Sequence, residues 1–350
     1  MSAIAEALDT LVNDRRDLSE DEAAAALDDI MSGEATPAQT GALLTALRLK
    51  GETVDEVVGL ARTMRAKALH VDLGAQRLAD TCGTGGSGKN TFNVSTAVAF
   101  VVAGCGVSVA KHGNRAMTSA SGSADVLEAL GAKIDLDPSG VAQVIQEVGV
   151  GFMFAQAFHP AMKYVAPIRR ELGFRTAFNV LGPLTNPAGA QHQVLGVATP
   201  EIGELMAESL GRLGSTHALV VHGQEGLDEV SPAGPTTVWE LKGGPDSHYD
   251  VSTYTISPAD FHIRAVDLAA VSGGDAEANA TAMREVLGGK SSALTGFVTL
   301  NAAAALYAAD EVPTLAEGVS RAAECMDDQR ALRKLERFLE VTQAVARAAS

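Results

Sequence analysis

Apolar residues open the chain on a helical rhythm. Leu8 and Leu11, Leu27 and Ile30, Leu43, Leu44 and Leu47, and Val57 and Leu60 recur at three- and four-residue spacing, the repeat that gathers side chains onto one face of a helix. Three runs share the same punctuation. Ser19-Glu20-Asp21-Glu22 opens one that closes at Gly33, Thr36-Pro37-Ala38-Gln39 opens one that closes at Gly51, and Thr53-Val54-Asp55-Glu56 opens a third. In each, the hydroxyl can accept the third amide of the new helix while the acid or amide side chain reaches back. Pro37 takes the first helical position, where its missing N–H costs nothing. These signals predict a small helical domain over residues 1–72. From about residue 78 the rhythm changes. Short β-branched runs at 107–110, 194–198 and 218–221 alternate with Ala-rich helical stretches at 123–130 and 202–213, which predicts an α/β domain over 73–350. Residues 160–186, with helical segments, Pro167 and a Pro/Asn-rich loop, interrupt the alternation and are expected to join the helical domain. The closing helices are expected near 273–288, 301–309 and 314–349, with Asn301 as an N-cap.

Composition narrows the partners. The chain has 350 residues, 46% of them apolar and 20% charged, as in ordinary globular proteins. Its formal net charge is −16, which argues against a nucleic-acid or anionic-membrane partner, since either needs a basic face. An anionic substrate must then be met by a few local cations, backbone amides or a metal. The longest apolar run, 94–109, is broken by Gly104 and Gly106 and reads as a buried helix followed by a strand rather than a membrane span. Cys82, Cys105 and Cys325 have no metal-ligand spacing, and with no signal pattern at the N-terminus a cytoplasmic protein with reduced thiols is expected.

Two segments carry chemistry. In Gly83-Thr84-Gly85-Gly86-Ser87-Gly88-Lys89-Asn90-Thr91-Phe92-Asn93-Val94-Ser95-Thr96, dense glycines let backbone amides close on an oxyanion. The polar run then enters a helix whose N-terminus favours negative charge. Residues 83–90 nearly read as a Walker A loop, but Asn90 stands where a Ser or Thr hydroxyl would ligate magnesium. A nucleoside triphosphatase is therefore disfavoured. The second segment is Lys111-His112-Gly113-Asn114-Arg115, followed by Ser119, Ser121, Gly122 and Ser123. It follows a strand at 107–110, so these groups sit at a strand's C-terminal end, where ligands of open α/β sheets gather. A cation, an imidazole, an amide and several hydroxyls together suit a sugar bearing phosphate or diphosphate.

Four segments in order, 83–96, 111–131, 159–187 and 226–236, resemble the anthranilate phosphoribosyltransferase family. K-H-G-N-R followed by S-G-S-A-D-V-L-E, and R-R-E-L-G followed by F-N-V-L-G-P-L-T-N-P, are long and specific matches, and the similarity runs on to Asn279 and Asn301. The resemblance implies a nucleoside phosphorylase-like α/β fold with a mostly parallel sheet, transfer of the phosphoribosyl group of PRPP to the amine of anthranilate in tryptophan biosynthesis, and a homodimer formed through the helical domain. Gly83, Gly86, Thr91, Asn93, Ser95 and Thr96, with Lys111, Asn114, Ser119 and Ser123, match PRPP-contacting positions. Ser87, Val94, His112, Gly113 and Arg115 are adjacent candidates. Asp228 and Glu229, with Ser95, match magnesium positions. Gly83, Asn114 and Arg169 match positions that hold anthranilate, and His112 and His159 line the route to it. His112, Asn114 and Arg169 are the candidate catalytic residues.

Elementary chemistry agrees with these roles. A departing diphosphate calls for a hard cation held by few carboxylates and shared with phosphate oxygens. A guanidinium fork pairs bidentately with a carboxylate, and successive helical residues diverge by about 100°, so only one of Arg169 and Arg170 can face a cleft. The resemblance selects Arg169. One departure stands out: the family usually has aspartate after Gly-Thr-Gly-Gly, and this chain has Ser87. Serine keeps hydrogen bonding but loses the charge, which predicts an altered magnesium dependence. The alternatives are a related phosphoribosyltransferase or pyrimidine nucleoside phosphorylase with another acceptor, against which Asp228-Glu229 and the Arg169 segment argue, and a non-catalytic nucleic-acid-binding relative, against which the charge argues.

Overall fold

The computed structural model describes residues 1–74, 76–116, 120–243 and 248–349. Helix α1 (Ala3–Asp9) runs into a π-type turn at Thr10–Asp14 and is followed by α2 (Glu20–Met31), α3 (Pro37–Lys50) and α4 (Val54–Ala66). All three expected capping boxes form, with Ser19, Thr36 and Thr53 each accepting from the amide three residues on.

The α/β part follows in chain order: β1 (Leu78–Gly83), α5 (Val94–Gly104), β2 (Ser108–Gly113), α6 (Ser123–Leu130), α7 (Pro138–Val148) and β3 (Val150–Phe154). Next come α8 (Ala155–Phe158), α9 (Ala166–Leu172), α10 (Phe178–Leu181), β4 (His192–Gly196), α11 (Gly203–Arg212) and β5 (His217–Gly223). Strands β6 (Thr236–Gly243) and β7 (Tyr249–Ile256) precede α12 (Ala276–Leu287), α13 (Ala293–Ala308), α14 (Leu315–Asp327) and α15 (Arg330–Ala349). The seven strands are ordered β3-β2-β1-β4-β5-β6-β7. The first five pair parallel, and β6 and β7 extend the sheet antiparallel.

Both faces of the sheet are covered, and strand alternation sorts the residues between them. On β5, Ala218 and Val220 join Trp239 and Leu241 of β6 in one core with α11 and the N-terminal helices. Leu219, Val221 and Val238 point into the other, with α5 and α13. Val165, Ala177, Phe178, Leu181 and Leu184 lie in the same core as the N-terminal helices, so the segment around α9 and α10 packs as part of the helical layer.

Three expectations need correction. The middle C-terminal helix begins at Ala293, not at Asn301 as expected, because Ser292 is its N-cap and forms a capping box with Thr295. Asn301 sits mid-helix and is buried. The single closing helix is two, broken at Gln329, whose φ of 57° is left-handed. Strands β6 and β7 were not anticipated; β7 is an edge strand with largely exposed polar positions, so it lacks the apolar run that marks a buried strand.

Candidate functional site

The chain winds from β1 outward to β2 and β3, then returns to β4 and β5 on the other side. The connections therefore diverge between β1 and β4, leaving a crevice at the carboxyl ends of those strands, the usual ligand position in an open α/β sheet. Four of the parallel strands, β1, β2, β4 and β5, end there in glycine: Gly83, Gly113, Gly196 and Gly223. Gly83 and Gly196 are register partners. A Cβ on Gly196 would overlap the Asp228 carbonyl oxygen, and one on Gly83 would lie 3.0 Å from Asp228 Oδ2. Absent side chains thus let the loop after β5 lie across the switch point.

That loop brings the two carboxylates to the expected hydroxyls. Glu229 Oε2 accepts from Thr91 Oγ1 at 3.1 Å. Lys111 Nζ donates to Ser95 Oγ at 3.2 Å and to the Thr81 carbonyl, and Thr81 Oγ1 donates to the Ser95 carbonyl at 2.8 Å. Ser95, Asp228 and Glu229 line one cavity with Thr81, Gly196 and Asn301. Desolvation, with Asp228 adding like charge, pushes the Glu229 carboxyl well above its ordinary range, because a carboxylate drawn from water beside a second negative charge disfavours ionisation. A cation would relieve that cost. Its protein donors here would be carboxylate and hydroxyl oxygens, suited to a hard ion such as Mg²⁺. Among the described residues no group of three or more His, Cys, Asp or Glu could hold a metal, so an ion here must complete its shell from water or ligand oxygens. The residues fit magnesium on those terms.

Beneath the crevice is a buried polar layer. Asp80 Oδ1 accepts the His112 amide at 3.3 Å and Oδ2 accepts Asn186 Nδ2 at 2.8 Å, while that amide also donates to the Ala110 carbonyl. Burial raises the Asp80 carboxyl and lowers the Lys111 ammonium, each opposed by the charge of the other. Lys111 is only 3% exposed, so it holds Ser95 from below instead of extending freely.

The glycine loop itself is latched on both sides. Asn90, in a left-handed conformation at φ 46°, accepts the Ala120 amide at 2.9 Å on Oδ1 and donates to the Gly273 carbonyl at 3.2 Å. At the start of α5, Asn93 makes no side-chain cap; its amide donates to the Ser121 carbonyl and accepts from Asn279 at 2.8 Å. Val94 and Thr96 are buried in the first turn. Arg175 Nη1 reaches the Gly85 carbonyl at 3.1 Å, and a Cβ on Gly86, whose φ is 84°, would overlap that guanidinium.

The remaining expected residues scatter around this centre. Ser123 Oγ donates to the Asn114 carbonyl at 3.2 Å, and Gln156 lies 3.4 Å from Asn114 Oδ1. Arg115 is turned away: it pairs with Asp125 and Glu128 and lies over the Phe154 ring. Ser119 lies outside the described residues, and Ser87 is half-buried. Arg169, on α9, donates to Asn179 Oδ1 at 3.3 Å and stacks over Phe178, whereas Arg170 is exposed. His112 and His159 face each other with ring centroids 5.1 Å apart. Burial lowers them to about 3 and about 4 respectively, with His159 also depressing His112. His112 Nε2 and both ring nitrogens of His159 have no partner. The sequence reading gave no role to Asp80, Asn90, Arg175 or Asn186. Arg175 was visible in the R-R-E-L-G-F-R-T run, Asn90 in the glycine segment and Asn186 in F-N-V-L-G-P-L-T-N-P, but their long-range partners, like the role of Asp80, are marked by no local pattern.

Comparison with known proteins agrees with this fold. A family model described as the α/β domain of a glycosyl transferase family matches residues 75–332, and its helical bundle counterpart matches residues 5–68. An anthranilate phosphoribosyltransferase of Dehalococcoides mccartyi is 50% identical over 343 residues, covering 98% of this chain and 99% of that protein. Among solved structures, the crystal structure of the Thermus thermophilus enzyme of that name superposes with a TM-score of 0.90 at 43% identity, over 98% of this chain and 100% of that one. The Saccharomyces cerevisiae enzyme in complex with PRPP and Mg superposes with a TM-score of 0.88 at 29% identity, over 97% and 98%.

Proposed function

The chain belongs to the anthranilate phosphoribosyltransferase family of glycosyl transferases, and on that premise we propose that it transfers the phosphoribosyl group of PRPP to the amine of anthranilate, releasing diphosphate. The observation that carries this reading is the meeting, at one switch point, of a glycine loop, an uncapped helix start and a half-buried carboxylate pair.

In this reading Gly83, Gly86, Ser87, Thr91 and Asn93 cradle the phosphates with backbone amides and hydroxyls. Val94, Ser95 and Thr96 begin α5, whose N-terminal end favours negative charge. Lys111, His112, Gly113, Asn114, Arg115, Ser119 and Ser123 complete the PRPP side; Arg115 acts there through the loop it ties to α6. Asp228 and Glu229, with Ser95, hold Mg²⁺, which when bound supplies positive charge against the diphosphate. Arg169, half-buried on α9, takes the anthranilate carboxylate, between Gly83, Asn114 and His159.

The chain's main tasks are orientation and charge stabilisation. The arylamine is neutral at pH 7, so attack on the ribose C1 needs no strong base. His112 accepts the amine proton after attack. It is held neutral by burial, donates to the Gly182 carbonyl and leaves Nε2 without a partner. A His112→Ala enzyme with unchanged turnover removes that role. The protein is cytoplasmic in this reading; no helix among the described residues is long and apolar enough to cross a membrane. It pairs with a second copy through the helical layer, where Val12 and Leu49 are 59% and 83% exposed. Sedimentation at micromolar concentration should give twice the 36.0 kDa chain mass.

One assay tests the central reading. Anthranilate fluorescence should fall when PRPP and Mg²⁺ are both present and stay constant when either is left out; no fall under any condition overturns it.

A further inference from the structure

Helix α13 is built from apolar residues, with Val298, Leu300, Ala302 and Ala304 all buried. Asn301 interrupts them at 6% exposure, and packing alone does not call for it. Its amide is fully used. Oδ1 accepts the Val230 amide at 2.9 Å, while Nδ2 donates to the Val230 carbonyl at 2.9 Å and to the Phe297 carbonyl at 2.9 Å. Both backbone groups of one loop residue are therefore matched by the two ends of one side chain, much as a neighbouring strand would match them. Val230 directly follows Asp228 and Glu229, and Asn301 lines the same cavity as both carboxylates.

We propose that Asn301 is a positioning residue for magnesium: by clamping Val230 it fixes the backbone that presents Asp228 and Glu229 at the switch point. The proposal rests on reading those two carboxylates as the magnesium ligands. Removing the clamp leaves a buried N–H and C=O without partners, and such groups move to find water or a new partner. The loop that shifts is the one passing against Gly196 and Gly83, so the carboxylates shift with it. Thr299 supplies the contrast. It is buried on the same helix, yet its hydroxyl donates only to the Thr295 carbonyl one turn back. It should matter to the helix and not to the loop.

The test titrates Mn²⁺, an ion suited to the same oxygen donors and countable when free by its EPR signal. It is added to the enzyme with PRPP and no acceptor, corrected for the ion that PRPP alone binds. Wild type is compared with Asn301→Ala, Asn301→Ser, Thr299→Val and Asp228→Asn, and circular dichroism and Tm report folding. Loss of outer-shell support typically weakens metal binding about tenfold to a hundredfold; Asn301→Ala should lose about tenfold and Asn301→Ser less, with Thr299→Val lowering Tm alone. Wild-type binding in both Asn301 variants, with binding lost in Asp228→Asn, overturns the role of Asn301 and leaves the carboxylate reading standing. Unchanged binding in Asp228→Asn overturns that reading and this proposal with it. If Asn301→Ala does not fold, Asn301→Ser and amide exchange in the wild type decide. Val230 must exchange slowly, and a rapidly exchanging Val230 amide overturns the clamp.

Discussion

At the residue scale, the same residue types do different work according to depth. Lys111 and Arg115 look alike in sequence as phosphate-facing cations. Lys111 is instead buried under Ser95, and Arg115 is engaged by two carboxylates. Arg169, the residue proposed for the anthranilate carboxylate, has no acidic partner among the described residues, and its planar fork is what lysine lacks. Arg169→Lys should raise the KM for anthranilate about tenfold or more and change kcat much less, measured in steady-state kinetics at saturating PRPP. A proportionate loss in kcat alone would place Arg169 elsewhere. Ser87 gives a second prediction. Restoring a carboxylate with Ser87→Asp should shift the magnesium concentration for half-maximal rate, while an unchanged magnesium profile means the position does not serve the metal.

At the element scale, the helix starts were legible because a capping box is a local contract: two side chains and two amides within four residues settle it. Ser19, Thr36 and Thr53 all keep that contract. Asn301 looked like another cap because asparagine favours that position, but Ser292 had already started the helix nine residues earlier, and the amide instead serves a loop distant in sequence. Strand ends behave likewise. A glycine at the end of β4 reads locally as an ordinary turn residue; in the fold it is the space that the Asp228 backbone occupies. Gly196→Ala should therefore leave secondary structure intact by circular dichroism while reducing turnover by about a hundredfold, since misplacement of about 1 Å can cost that much. Near-normal turnover would show that the loop can yield.

Across the whole molecule, the helical layer is bound to the α/β part by polar ties as well as packing. Arg65 of α4 donates to the Leu184 and Leu213 carbonyls, and Asn186 ties the segment after α10 to β1 and β2. Stability should carry the signature of the buried His112 and His159. Their folded values lie near 3 and 4, below the ordinary 6.5, so the unfolded chain binds protons first as pH falls. Stability is then full above pH 6.5 and declines toward pH 4 by roughly 1.4 kcal/mol per pH unit for each histidine. Urea unfolding at pH 7, 6 and 5 should show the decline, and His112→Gln should cut its slope to about half, leaving the part due to His159; an equally steep decline in that variant would assign it to other groups.

What the sequence by itself determined were features with short-range causes: the helical beginning, its caps, the alternation of strands and helices, and a glycine loop that, with the K-H-G-N-R turn, announced a phosphorylated ligand. The pairing of Glu229 with Thr91, the seat of Asp228 on Gly196, the submerged Lys111 and the clamp by Asn301 were decided only by the tertiary structure. Each joins residues separated by at least 16 and by as many as 138 positions in the chain, and which of them meet depends on strand order and on which side chains lose their water. Neither is written into any local pattern.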